Sequence, residues 1–351
     1  MPAPSSLSLV KAREQGALMR KANVLAVGLG LKSIGGHLTA TPAVKVFVSR
    51  KVPASNLAEG DLIPAELPAP DAPVPTDVEE MAPLMAPVQS SLTSQSEDTL
   101  LLRTYQRPVY GGLSASHYQF EIGTIAIPVA DRSGSQRYLL SNNHVLARLN
   151  QARLGDPIIQ PALIDGGSPG KFTIAFLDRF IPLALGGLVA NVADAALARV
   201  ANSAVLSRVA FVGAPLGVRP ARELRVGETV CKVGRTTGLT FGRVVATGCR
   251  CTINYAMTGL GNQAALFDDQ ILTSAMAGYG DSGSLLFDGA RNAVGMLGGG
   301  SDTHTVFNPC DLLEELLGIQ IVPSPLGKSG TSGFPNLHVK RPIQAPSGRL
   351  K

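Results

Sequence analysis

Between Arg107 and Val322, glycines and prolines break the chain into apolar runs too short for helices and too evenly spaced for loops. The runs are Phe120 to Val129, Arg137 to Leu140, Pro157 to Gln160, Phe172 to Phe176, Ala193 to Val200, Glu228 to Val233, Arg243 to Thr247, Asp269 to Thr273, Ser284 to Phe287 and Ala293 to Leu297. Short strands at regular intervals with turn residues between them predict barrels or a sandwich. Cys310 to Leu317 (CDLLEELL) then reads as a closing amphipathic helix, with Asp311 as a plausible N-cap.

The first eighty residues follow another pattern. Residues 6 to 21 carry apolar side chains at helical spacing, and Val24 to Leu31 and Ala43 to Val48 read as two strands about Gly35-Gly36. Gly28-x-Gly30 resembles part of a nucleotide loop but lacks the third glycine and the following helix, so a hairpin is the better reading. Asp77-Val78 begins another extended piece. This gives an N-terminal helix and small α/β unit (1–82), a linker or covering strap (83–106), and a polar tail (323–351) that is extended or disordered. The apolar island Phe334 to Val339 in that tail suits packing on a barrel or on a second copy, so a homo-oligomer is possible.

Composition removes several function classes. Trp is absent and aromatics are 5% of the chain, too few for stacking single-stranded nucleic acid. The net charge of +5 comes from scattered basic residues rather than a nucleic-acid footprint. No run of 18 apolar residues predicts a membrane span, and Met1 to Lys21 lacks a signal-peptide core. A cytoplasmic setting is therefore expected, with Cys231, Cys249, Cys251 and Cys310 as reduced thiols. Cys249-x-Cys251 is too closely spaced for the usual zinc pattern and fits alternate positions of one strand; no metal or cofactor is implied.

The stretch that carries chemistry is Tyr279-Gly280-Asp281-Ser282-Gly283-Ser284. Gly280 has no side chain to shield its N–H, and that N–H together with the N–H of Ser282 can form an oxyanion hole. Gly283 lets substrate backbone approach, and Ser284 to Phe287 pins the loop into a core. A nucleophilic serine needs a base and a group that orients it. Of five histidines, only His144 follows an apolar strand (Tyr138-Leu139-Leu140) that fixes its approach to a cleft. Asp194 stands in a small apolar run, where burial is costly without a partner such as an imidazole N–H; Asp165 and Asp178 have more polar surroundings.

The order His144, Asp194, Ser282 and the GDSGS stretch resemble the chymotrypsin-like (trypsin-fold) serine peptidases. KVGRTTGLTFG is similar to a strand of bacterial streptogrisin-type enzymes. With VLAVGLGLK, AVKVFVSRK, PTDV, YGGLSAS, LLSNNHVLA and GDPIIQPALIDGG, the chain more closely resembles the intracellular trypsin-like proteins of bacteria and the narrow-leaf proteins of plants. That resemblance implies a mainly β fold with two six-stranded barrels, residues 107–205 and 206–322, and an active cleft between them. It implies a serine endopeptidase acting on peptide or protein substrates, with His144 as general base, Asp194 orienting it and Ser282 as nucleophile. The first specificity pocket would have Met276 at its base and Gly298, Gly299 and Gly300 as its wall, favouring apolar residues before the scissile bond. The resemblance also places Lys232, with Arg235 as second choice, where a cation pairs with the buried Asp281, so that no proteolytic maturation is needed. The competing reading is a non-catalytic or weakly catalytic peptide-binding or assembly scaffold.

Overall fold

Apolar residues at alternate positions of the first hairpin decide how the N-terminal part joins the rest. A computed structural model of the chain describes residues 4–88, 96–257 and 261–321; the tail and its Phe334 to Val339 island lie outside the described residues. Helix α1 (Pro4–Met19) packs Leu7, Val10 and Leu18 against strands β1 (Val24–Ile34) and β2 (His37–Val48). Two further strands follow, β3 (Glu66–Leu67) and β4 (Val74–Glu80). Val27, Val44, Val46 and Val74 complete this apolar layer. The two glycines of Gly28-x-Gly30 are explained by crowding. A side chain at Gly28 would strike the Cys249 sulfur, and one at Gly30 the Lys45 stem.

The stretch read as a linker contains two elements, strand β5 (Leu84–Ala86) and helix α2 (Glu97–Leu102). Ser96 caps α2 by accepting the Thr99 N–H at 3.3 Å. Next come β6 (Val109–Gly111), β7 (Ser116–His117), β8 (Ile127–Asp131), β9 (Arg137–Ser141), helix α3 (Asn143–Leu146), β10 (Pro157–Ile159), β11 (Thr173–Phe180), β12 (Ala190–Asn191), β13 (Ala196–Val200) and β14 (Val205–Val209). The C-terminal part supplies β15 (Thr229–Gly234), β16 (Gly238–Met257), β17 (Gly261–Ser274), β18 (Leu285–Phe287), β19 (Ala293–Gly300), β20 (His304–Pro309), helix α4 (Cys310–Leu317) and β21 (Ile319–Gln320).

The fold is mainly β. Strands β15, β16, β17, β20, β19 and β18 close into a ring, since β16 pairs with both β15 and β17 and β18 returns to β15. A second sheet has the order β21-β8-β9-β13-β11-β10-β7, its first strand supplied by the chain beyond α4. Strand β16 runs well past the Arg243 to Thr247 segment read from the sequence. Gly248, at φ 56°, sits where the register shifts between Ala246 and Cys249, so the strand bends there rather than ending. Its far half gives β1 an antiparallel edge, and the N-terminal hairpin thereby extends the same sheet. Cys249 and Cys251 are buried on β16, and burial pushes the Cys249 and Cys231 thiols up to about 12.

The N-terminal unit is also bound to the ring by charge. Glu79 pairs with Lys45 at 2.5 Å and with His304 at 3.2 Å. Burial alone would raise the Glu79 carboxyl, but bonds from His304 and Lys45 pull it from its ordinary 4.5 to about 2. A carboxyl depressed on folding contributes stability that is present above its unfolded pKa and lost as pH falls through its folded one. We expect the melting temperature to fall between pH 4.5 and about 2, and Glu79→Gln to flatten that dependence. An identical acid limb in the variant would show that this cluster does not report on folding.

Candidate active site

Strand β9 ends at Ser141, and α3 turns the chain so that His144 faces the segment before β13. The register Ala196↔Ser141 between β13 and β9 sets Asp194 opposite the histidine. His144 Nδ1 and Asp194 Oδ2 lie 2.5 Å apart, and the His144 backbone N–H donates to Asp194 Oδ1 at 3.2 Å. Both side chains are fully buried. The run Ala193 to Val200 was expected to be strand throughout, yet β13 starts at Ala196. The backbone of Asp194 is diverted to side chains instead. Its N–H donates to Asn308 Oδ1 at 2.9 Å, and its carbonyl accepts from Asn142 Nδ2 at 2.8 Å. A third donor completes the carboxylate: Tyr255, on β16, donates its hydroxyl to Asp194 Oδ2 at 2.9 Å. Its ring meets His144 edge-on at 5.6 Å between centroids. Burial and the Asp194 charge push the Tyr255 phenol well up, so it stays a donor.

Ser282 stands on the loop between β17 and β18. Its carbonyl accepts the Thr124 N–H at 2.9 Å, and Gly283 N–H donates to Leu297 O at 3.0 Å. Gly283 has φ 94°, and a side chain there would strike Thr124 O and Ser141 Oγ. The serine loop therefore packs on the end of β9, three residues before His144. Ser282 Oγ and His144 Nε2 are both buried, and neither has a hydrogen-bond partner among the described residues. The structure thus joins His144 to Asp194 and shows no bond from Ser282 to His144. Gly280 has φ 95°, and its carbonyl is turned to Thr124 Oγ1 at 2.9 Å. Neither the Gly280 nor the Ser282 N–H is engaged by another described residue. Two free N–H groups beside a serine hydroxyl are what a developing oxyanion requires.

Asp281 lies beneath this loop, fully buried, with Lys232 Nζ 2.9 Å from its Oδ2. Thr237 Oγ1 donates to Oδ2 at 2.6 Å, Gly278 N–H to Oδ2 at 2.9 Å and Thr236 N–H to Oδ1 at 2.8 Å. Burial pushes the Asp281 carboxyl up, but the Lys232 ammonium and these donors hold it below the usual carboxylate range. Burial also pulls Lys232 down. We take the pair as ionised, because a neutral Asp281 would leave its donors without a charge to meet. Arg235 does not join them. Its guanidinium turns to Asp165, and the two threonines that follow it reach Asp281 instead.

Met276 is buried in an apolar cluster with Val88, Ala277 and Leu297. Its N–H donates to Thr305 Oγ1 at 3.1 Å and its carbonyl accepts from Thr240 Oγ1 at 2.7 Å. Gly298, Gly299 and Gly300 form the end of β19 and are buried. A hollow of about 290 Å³ on the N-terminal unit is lined by Asn23, Arg50, Lys51 and Asp61, among others, and by none of these site residues. Sequence reasoning missed Tyr255, Asn308 and Thr237, and weighed Asp165 only as a rival to Asp194. All are brought in across the fold; Thr237, inside the GRTTG run, and Asp165, inside GDPIIQPALIDGG, lay in stretches already singled out.

Residues 3–79 match the family model of the NARROW LEAF 1 N-terminal domain. The chain is 28% identical over 330 residues to Protein NARROW LEAF 1 of Oryza sativa subsp. japonica, covering 85% of this chain and 55% of that protein. It is 45% identical over 76 residues to Serine protease 2 of Streptomyces fradiae, covering 22% of this chain and 38% of that protein. The chain thus spans about half or less of these relatives' own lengths. Among solved structures, Thermobifida fusca Protease A superposes with a TM-score of 0.43 at 20% identity, over 62% of this chain and 99% of that one. A glutamic-acid-specific serine protease superposes with a TM-score of 0.43 at 21% identity, over 61% of this chain and 100% of that one.

Proposed function

We propose that the protein is a serine endopeptidase using Ser282, His144 and Asp194. The observation that carries this is the fully buried His144–Asp194 pair, packed against a glycine loop whose serine hydroxyl and two N–H groups are unengaged. In the reaction, Ser282 Oγ attacks the scissile carbonyl carbon while His144 Nε2 takes the hydroxyl proton. The carbonyl oxygen becomes an oxyanion held by the N–H groups of Gly280 and Ser282. His144 returns the proton to the leaving amine, the C–N bond breaks, and an acyl-enzyme remains. Water, deprotonated by His144, then attacks the ester and frees Ser282. Asp194 keeps the His144 proton on Nδ1 and stabilises the imidazolium.

The N-terminal unit, strap, two barrels and tail, divided as 1–82, 83–106, 107–205, 206–322 and 323–351, belong to the same proposal. So does a cytoplasmic setting, which suits four buried cysteines that are unpaired. No helix of the described residues is long and apolar enough to cross a membrane.

The experiment is labelling by a fluorophosphonate together with cleavage of a proteome-derived peptide library. We expect labelling of the wild type and none of Ser282→Ala. We expect cleavage after medium or large apolar residues, because Met276 lies in an apolar cluster. Equal hydrolysis by purified Ser282→Ala would remove the assignment, and a profile dominated by Lys and Arg would remove the pocket. The scaffold reading is favoured by the missing Ser282–His144 bond. It expects folded protein that neither labels nor cleaves.

A further inference from the structure

Strand β5 (Leu84–Ala86) is not one of the six ring strands, yet it is paired to two of them. Leu84, Met85 and Ala86 lie opposite Ile253, Asn254 and Tyr255 of β16 in parallel register. Met85 also lies opposite Gly300 of β19 in antiparallel register. Asn254 Nδ2 donates to Leu84 O at 3.3 Å. The Met85 carbonyl oxygen is 2.8 Å from where a Cβ on Gly299 would stand, so only glycine at 299 leaves it room. The approach of this segment is fixed by Met81 N–H on Val48 O at 2.8 Å and Ala82 N–H on Thr303 Oγ1 at 3.0 Å.

The direction of β5 relates it to the serine. The nucleophile loop is tied to β19 just before its glycines, through Gly283 N–H on Leu297 O at 3.0 Å and Leu297 N–H on Ser284 O at 2.9 Å. A peptide antiparallel to Gly298–Gly300 therefore advances, in its own N-to-C direction, from Gly300 toward the serine loop. The segment after Met85 does this. Val88 is buried in the cluster that holds Leu297 and Met276. Leu84 and Ala86 are buried as well, and Met85 is only half-buried, the alternation of a strand laid into a groove.

We propose that Leu84–Val88 is an internal occupant of the peptide groove of this site, and that substrate binds by displacing it. This rests on the serine peptidase reading of Ser282. The groove accordingly takes an extended peptide by strand addition, with small or medium apolar side chains at alternate positions, the chemistry of Leu84, Ala86 and Val88. Because the groove is filled in cis, apparent affinity for substrate is reduced by the fraction of molecules in which the strap is out. A three-residue strand can leave without unfolding the ring.

The test compares hydrolysis with labelling in the full chain. Met85→Pro removes an N–H from a strand paired on both sides. For a blocked tetrapeptide p-nitroanilide with leucine before the scissile bond, its kcat/KM is expected to rise by about tenfold or more. Fluorophosphonate labelling of Ser282, which needs no peptide groove, is expected to stay within about twofold. A synthetic peptide of residues 82–88 should then inhibit the variant competitively. In wild type, a diphenyl phosphonate of the same tetrapeptide, bonded to Ser282, should remove the hydrogen-exchange protection of residues 84–86; this measurement decides if Met85→Pro does not fold. Labelled Ser282 with unchanged kcat/KM in the folded variant, or with unchanged protection in the phosphonate adduct, overturns the strap and leaves the peptidase reading standing. No labelling and no hydrolysis in either protein overturns both.

Discussion

Asp194→Asn is expected to fold and to lose about 10⁴ in kcat, by the tautomer argument established for such triads. The carboxylate accepts from His144 Nδ1, from the His144 backbone N–H and from the Tyr255 hydroxyl. An amide is isosteric, so the pocket stays filled. Its NH₂ toward Nδ1 would force the imidazole to carry its proton on Nε2, the atom that must accept the proton of Ser282. Tyr255→Phe removes one donor from the same carboxylate and keeps the ring against His144. Its loss should be far smaller, about tenfold, the worth of one hydrogen bond to a charged group at about 1.5 kcal/mol. It should also carry a signature that a packing defect lacks. With the ring kept, kcat should fall while KM stays near wild type. Steady-state kinetics check both. Asp194→Asn within tenfold of wild type would show that the buried pair serves only the fold.

The parts of this arrangement that the sequence exposed were the local ones. A serine between glycines shows in five residues, and a histidine after an apolar strand shows in nine. Short apolar runs between turns expose a β fold because strand length and alternation are local properties. What stayed hidden was set by register and crossing. Tyr255 and Asn308 reach Asp194 from strands more than fifty residues away, at positions with no local mark. The extent of β16 was hidden by Gly248, which reads as a break and acts as a bulge. Residues 83–88 read as connection because a three-residue strand has no periodicity to detect. Only their pairing with Gly300 and Tyr255 gives them a place. Arg235 and Lys232 stand three apart in one run, and only the resemblance ranked Lys232 first. The strand separates them. Lys232 points inward from β15, while Arg235 follows the strand's last residue and reaches Asp165.

Lys232→Ala is expected to cost more stability than any other single change at the site, about 3–5 kcal/mol by the behaviour of broken buried pairs. Lys232 and Asp281 are both fully buried, so the carboxylate would lose its counter-charge away from bulk solvent. Thr237 Oγ1, Gly278 N–H and Thr236 N–H would remain on the carboxylate, but they supply dipoles rather than charge. Asp281 would then rise toward protonation, and a neutral acid meets those donors poorly. Gly278 and Asp281 bracket Gly280, so the loss falls on the loop that carries the oxyanion N–H groups. Turnover should therefore drop more than substrate binding weakens. The pH dependence fixes the sign. Asp281 is held below its ordinary 3.8 in the folded protein. Its contribution is thus present above 3.8 and lost as pH falls through its folded value. In Lys232→Ala that contribution vanishes, so the loss of stability as pH falls below 3.8 should flatten, as for Glu79→Gln. Lys232→Met with Asp281→Asn removes both charges and should recover much of the stability, because a well-packed neutral pair replaces an orphaned ion. Arg235→Ala, which breaks the bond to Asp165 instead, should leave the acid limb where it is. Denaturant melts from pH 3 to pH 8, with kcat and KM for each variant, make the comparison. Full stability and activity in Lys232→Ala would mean that the N–H and hydroxyl donors suffice for Asp281.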